Sequence, residues 1–227
     1  MTSRHVRSVV NLFLVAGAVA LLAPAAGAQT RRAARPAGEP AVRVRGFVDA
    51  GARTFAASQS FDAVLGTHTG PLFGAGAEAL VDRFFVSFGV SRFQKDGERV
   101  VVAGGEAFPN GIATTISVVP IEISAGWRFA DSDRSVIPYL GGGIGWHKYK
   151  ETSDFAAADE DVQFTKAGFQ VLGGAEWRAS RWLGVAGEAA WMRVPDAFAG
   201  GPTSAAGVFG EDDLGGAVFR VKVVIGR

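Results

Sequence analysis

Cysteine is absent from this 227-residue chain, which excludes disulfides, thiol catalysis and cysteine-ligated metals together. A closed β-sheet needs no such staple, so the absence leaves export open. Charge of one sign is lacking as well: 23 Lys and Arg oppose 22 Asp and Glu, a formal net charge of +1. A nucleic-acid partner would need a basic stripe or patch, and the balance gives no case for one. No glycine-rich phosphate loop, zinc-ligand spacing or nucleophile elbow is present. After Leu22 no long apolar run appears either, so a helical membrane span is not expected in the remainder.

What is there begins with a leader. Arg4 and Arg7 precede an apolar run over residues 9–22, and Ala26-Gly27-Ala28 supplies the small residues that a signal peptidase reads. The run is about 14 residues, short of the ~20 that a helix needs to span a bilayer, which argues against an uncleaved anchor. Residues 1–28 are therefore expected to be a cleaved signal peptide, which leaves the periplasm, the outer membrane or the medium as the address. Residues 29–41, with Arg31, Arg32, Arg35, Pro36 and Pro40, read as a flexible, solvated periplasmic lead-in. Contact of that Arg cluster with anionic lipid or peptidoglycan is the alternative.

From residue 42 to 227 the pattern has period two, the mark of strands with two unlike faces. In the last segment Ala217, Phe219, Val221, Val223 and Ile225 share one face, while Arg220 and Lys222 fall on the other. The same alternation recurs in segments near residues 44–53, 73–81, 84–91, 121–129, 139–147, 169–178 and 183–191. Eight such segments, each close to the roughly 9–11 residues of a tilted membrane-crossing strand, predict an all-β fold. The architecture expected is an eight-stranded antiparallel up-and-down transmembrane β-barrel.

Connections support the membrane form. Asp82-Arg83, residues 131–135 and Ala179-Ser180 make short turns, whereas residues 57–71, 94–112, 150–166 and 194–214 make long loops. Strict alternation of short and long is the order of periplasmic turns and extracellular loops. Aromatic residues gather at both ends of the segments. Phe84, Phe85, Trp127, Phe129, Trp177 and Trp182 lie beside the short turns; Phe55, Phe93, Trp146, Tyr149 and Trp191 lie beside the long loops. Such rings favour the headgroup level of a bilayer, so two girdles are expected.

With that order of turns, three local runs carry a resemblance. They are Pro138-Tyr139-Leu140-Gly141-Gly142-Gly143-Ile144-Gly145, Gly126-Trp127-Arg128-Phe129, and Leu183-Gly184-Val185-Ala186-Gly187-Glu188. Together with the collective pattern over residues 42–227, the chain resembles the small outer-membrane barrels typified by the OmpA transmembrane domain and OmpX. The resemblance implies a porin-like barrel in a Gram-negative envelope. Members usually end in an aromatic residue, whereas this chain ends Ile225-Gly226-Arg227.

The non-lipid face carries the candidate functional residues. Asp49, Glu78, Glu122, Glu176 and Glu188 meet Arg45, Arg53, Arg128, Arg178, Arg220 and Lys222, five acids against six bases. An eight-stranded lumen is only just wide enough for its own side chains, and opposite charges in so tight a space should pair. A salt-bridged plug is the favoured outcome; a gated ionic path or a pocket reached from the lumen is the alternative. Small barrels of this kind can also be lipid-modifying enzymes with a histidine, a serine and a carboxylate on the outer rim. His147 is the one plausible general base here, and no recognisable spacing sets a serine beside it.

Two acidic clusters, Asp159-Glu160-Asp161 and Glu211-Asp212-Asp213, could hold Ca²⁺ or Mg²⁺. Solvated loop charge is the default, so no metal and no cofactor is expected. Residues 198–209, rich in Gly, Ala and Ser, read as a mobile loop. The functional expectation is a structural or surface-interaction barrel rather than an enzyme, with a narrow channel for small or hydrophobic solutes as the alternative. Outer-membrane lipid is the expected partner, with lipopolysaccharide or surface ligands as candidates at the long loops, and the expected state is a monomer.

Overall fold

The computed structural model describes residues 42–103, 106–131, 134–154, 162–198 and 204–226. The expected leader and lead-in, and the first acidic cluster, lie outside the described residues. Eight strands follow one another in the chain: β1 (Val42–Phe55), β2 (Thr69–Val81), β3 (Phe84–Ala103), β4 (Glu106–Arg128), β5 (Val136–Ser153), β6 (Val162–Arg178), β7 (Leu183–Arg193) and β8 (Gly216–Gly226). Each pairs antiparallel with its sequence neighbours, and β1 pairs with β8 from Arg45↔Gly226 to Phe55↔Gly216, closing the ring. Closure leaves no free edge in the ring, which is the condition for burying a sheet in hydrocarbon.

Register follows from the alternation. A slip by one residue would turn every apolar side chain to the wrong face. Val44, Val48, Phe73, Leu140, Ile144, Phe219 and Ile225 all point outward and are more than half exposed. Small side chains set the close contacts inside: a Cβ on Gly126 would stand 2.6 Å from the Phe85 ring, and one on Gly141 would stand 3.0 Å from it. The β2–β3 turn is two residues long, and Asp82 adopts φ 54° there, a left-handed conformation that aspartate tolerates.

At the other end the strands run further than the hydrophobic pattern predicts. The stretch 94–112, expected as loop, continues β3 and β4 as a hairpin. Its ladder runs to Ala103↔Glu106, with an irregularity between Glu98 and Val100. The ten residues of β3 beyond Phe93 extend it by roughly 30 Å at ~3.3 Å per residue. Cross-strand pairs hold it, among them Thr115 Oγ1 donating to Asp96 at 2.7 Å. Likewise β5 and β6 pair outward as far as Glu151↔Val162.

Two short helices lie in the remaining long connections: α1 (Ser58–Leu65) in the first and α2 (Ala205–Phe209) in the last. The second corrects the mobile-loop reading over part of residues 198–209. Ser204 caps it, its Oγ accepting from Gly207 N at 3.1 Å, and Gly210 ends it in the left-handed region at φ 64°.

Candidate functional site: a filled lumen

Period-two alternation sends every second side chain into the ring, and the interior divides into three zones. Nearest the short turns, two arginines and two glutamates form a closed circuit. Arg45 holds Glu176 through both guanidinium nitrogens, Nη1 to Oε1 at 2.8 Å and Nη2 to Oε2 at 2.9 Å, and also pairs with Glu78. Arg128 completes it, at 2.9 Å from Glu176 and 3.6 Å from Glu78. Arg45, Arg128 and Glu176 are all buried. A buried carboxylate shared by two guanidiniums meets the demand that such charges be both paired and hydrogen-bonded.

Further along the barrel the second zone centres on Glu188. Its Oε1 accepts from Arg220 Nε at 2.7 Å, and its Oε2 accepts from Lys222 Nζ at 2.5 Å and from the Tyr139 hydroxyl at 3.0 Å. Arg220 reaches on to Glu122 at 3.4 Å. Gln170 Nε2 donates to Ser124 Oγ at 2.9 Å beside them. Tyr139, Gln170 and Ser124 were not singled out from sequence as parts of this network, though all three share the inward parity.

The third zone is apolar and lies toward the long loops. Phe55, Phe93, Val118, Val194 and Leu214 are almost wholly buried, and Phe61 of α1 stacks on Phe55 with ring centroids 3.9 Å apart. Tyr149 stacks on Phe164 at 4.7 Å, and Phe198 meets both edge-on. This plug corrects the aromatic assignment at that end. Phe55, Phe93 and Tyr149, expected in the girdle, point inward, and so does Phe85 at the short-turn end. Parity is the reason: Phe55 shares the face of Arg53, Phe93 that of Ser91, and Tyr149 that of His147.

Not every expected lumen charge joins a circuit. Arg53 is fully buried yet forms no ion pair among the described residues. Its Nη2 donates to Leu214 O at 2.9 Å, its guanidinium lies 4.7 Å from the Phe55 ring centre, and its Nε and Nη1 have no hydrogen-bond partner. Asp49 stands opposite Lys222 in the ladder, and its Oδ1 is likewise without a partner. Arg178 sits half-buried beside the turn and donates to Arg181 O at 3.2 Å.

His147 is not a rim residue. It is buried at 2% exposure, where a Cβ on Gly145 or Gly168 would stand 3.4 or 3.3 Å from its Nε2, and Arg53 and Asp213 are its charged neighbours. The acidic run 211–213 organises loops. Glu211 accepts from Gln59 N, Ser60 N and Ser60 Oγ at 3.0, 2.8 and 2.7 Å, and so clasps the start of α1. Asp213 accepts from Val194 N and Gly215 N, each at 2.8 Å. Among the described residues no group of three or more His, Asp or Glu side chains is placed to hold a metal ion.

Outside the ring, Phe84, Trp127, Phe129, Trp177 and Trp182 stand exposed near the short turns, and Trp146 and Trp191 stand exposed toward the loops. A closed ring, apolar outside and ionic within, is the construction of a transmembrane barrel. The chain is an eight-stranded β-barrel of the outer membrane.

Solved structures share the fold. Neisserial surface protein A superposes with a TM-score of 0.53 at 15% identity, over 81% of this chain and 96% of that one. A major outer membrane protein of Thermus thermophilus gives 0.50 at 13% identity, over 81% and 99%. No family model and no curated protein matches the sequence.

Proposed function

We propose that this barrel works as a monomeric structural and surface-interaction protein whose lumen is closed to solutes. The observation that carries the reading is what occupies the interior, buried charged side chains nearer the turns and buried apolar ones nearer the loops. Two buried ionic circuits are followed by an apolar plug into which α1 inserts Phe61. Glu211 ties that helix to the last loop, so the closure at the loop end is braced from both sides. The ring closes within a single chain, so no second copy is needed to complete it. What remains available to a partner is the outer rim, above all the long β3–β4 hairpin, with Val101 and Phe108 about half exposed near its tip.

The same geometry weighs against the lipid-modifying reading. A general base must reach its substrate's proton, and His147 lies within the barrel interior, away from the lipid face. Planar-bilayer recording on the purified mature barrel tests the closure. Only small, infrequent current steps are expected from the native chain and from Glu122→Gln and Glu188→Gln. Large stable currents from the native chain would establish the channel reading instead.

A further inference from the structure

The apolar plug at the loop end has two sources. Its wall comes from the strands: Phe55, Leu72, Phe93, Val118, Tyr149 and Met192 project inward from β1, β2, β3, β4, β5 and β7, and all are buried. Its filling comes from the connections. Phe61 of α1 stacks on Phe55, and Phe198 of the last loop meets Phe61 edge-on at 6.3 Å. Residues 58–65 form a helix and no rung of the sheet. Glu211 holds its first turn, and Gly97 of β3 admits its Val64 carbonyl, 2.1 Å from where a Cβ would stand. Phe61 can therefore leave the cup while the barrel stays closed, as local opening of a weakly held element allows.

The floor of the cup is polar. One inward position turnward of Phe55 on β1 stands Arg53, and one turnward of Tyr149 on β5 stands His147, both buried. Arg53 Nε and Nη1 and His147 Nδ1 have no hydrogen-bond partner. Two acids lie near enough for their charge to be felt at Arg53, and both are engaged elsewhere. Glu122 pairs with Arg220, while Asp213 holds the Val194 and Gly215 amides and Arg193. Asp49 is four residues back along β1, about 13 Å at ~3.3 Å per residue, too far to pair. Burial of an unpaired guanidinium costs the barrel stability, yet it sets N–H donors beneath an aromatic wall. Apolar walls with a few convergent polar groups are the usual build of a small-molecule site, and the mouth of a barrel is a usual place for one.

We propose that the loop end of the lumen is a binding site for a small aryl-alkyl carboxylate, whose ring takes the place of Phe61 against Phe55 and whose carboxylate is received by the Arg53 guanidinium. Carboxylate is the planar anion that a guanidinium fits best, and a phenyl ring already occupies the position that the ligand's ring would take. The site is a dead end, because the Glu188 and Glu176 circuits lie turnward of it. Binding there needs no passage through the barrel and does not rest on the surface role proposed above.

Calorimetric titration of phenylbutyrate into the mature barrel in phosphatidylcholine nanodiscs tests it, with empty nanodiscs subtracted and phenylbutanol as the neutral counterpart. The acid should bind at least about tenfold more tightly than the alcohol, the difference expected of a hydrogen bond to a charged group. Arg53→Met keeps the wall apolar and should remove that preference. Phe61→Ala should tighten both ligands by about tenfold, because the ring that competes with them is gone. Hydrogen exchange in α1 of the native barrel should quicken when the acid binds, while exchange in the turn-end halves of the strands stays as it was. Any one of four results would overturn the proposal: no binding beyond empty nanodiscs by the native or the Phe61→Ala barrel, equal affinity of the native barrel for acid and alcohol, an acid preference that survives Arg53→Met, or α1 exchange unmoved by bound acid.

Discussion

Arg45 and Glu176 face each other across the lumen from β1 and β6, joined by two parallel hydrogen bonds of 2.8 and 2.9 Å. These strands are not neighbours in the sheet, so the pair is a strut across the ring rather than a rung within it. Removing one partner leaves a buried charge uncompensated. Glu176→Ala is therefore expected to cost about 3–5 kcal/mol, because Arg45 and Arg128 would both lose their shared acceptor. Replacing Arg45 by Met and Glu176 by Leu together should cost less than Glu176→Ala alone. Urea unfolding of the barrel in lipid vesicles, followed by tryptophan emission, reads both; a larger loss in the double variant would refute the strut.

Arg53 stands in the opposite situation. Its guanidinium is wholly buried against Phe55, with one carbonyl acceptor and two nitrogens unpartnered. Desolvation is then offset only in part. Arg53→Met is expected to stabilise the barrel by about 1 kcal/mol, since an unbranched apolar side chain suits the surrounding plug. The same unfolding assay measures it, and a loss above about 1 kcal/mol would show that Arg53 has partners that offset its burial.

The clasp between the first and last loops gives a local prediction. Glu211 receives the amides of Gln59 and Ser60 at the start of α1, and Ala57 offers that helix no side-chain cap. Glu211→Ala should speed hydrogen exchange in α1 by roughly tenfold, the equivalent of about 1–2 kcal/mol for hydrogen bonds to a charged acceptor. Exchange in the turn-end halves of the strands should not change. Unaltered protection at Gln59 and Ser60 would show that Phe61 alone seats the helix.

Much of this architecture is legible in the sequence because a membrane barrel writes itself as parity. Phe219, Val221 and Val223 against Arg220 and Lys222 fix the strand, its register and its lipid face at once. The ionic circuits follow from the same parity, though it cannot say which acid meets which base: Glu176 bonds Arg45 from a strand that is not adjacent, a choice made by curvature and side-chain reach. What escapes is the loop end. There the outward face of β3 carries Gln94, Asp96 and Glu98, while its inward face carries Lys95 and Gly97, against which the first loop helix packs, so β3 leaves no hydrophobic alternation to read. Phe55, Phe93 and Tyr149 mislead for a related reason. Position near a strand end suggests a girdle, while their parity with Arg53, Ser91 and His147 points inward, and parity prevails.

The two faces should differ sharply in their tolerance of charge at the same depth. Val221 of β8 points to lipid, between the inward Arg220 and Lys222, and is more than half exposed. An arginine there would have no acceptor in hydrocarbon and no water within reach. Val221→Arg is expected to cost about 2–4 kcal/mol, the range for a cation near the bilayer midplane. Lys222→Arg, one residue away, keeps a cation beside Glu188 on the lumen side and should cost under about 1.5 kcal/mol, mostly from crowding. Folding titrations in phosphatidylcholine vesicles compare the two directly. Equal costs would mean that the outward wall of β8 does not meet lipid, because only an apolar surround can make one position intolerant of the charge that its neighbour already carries.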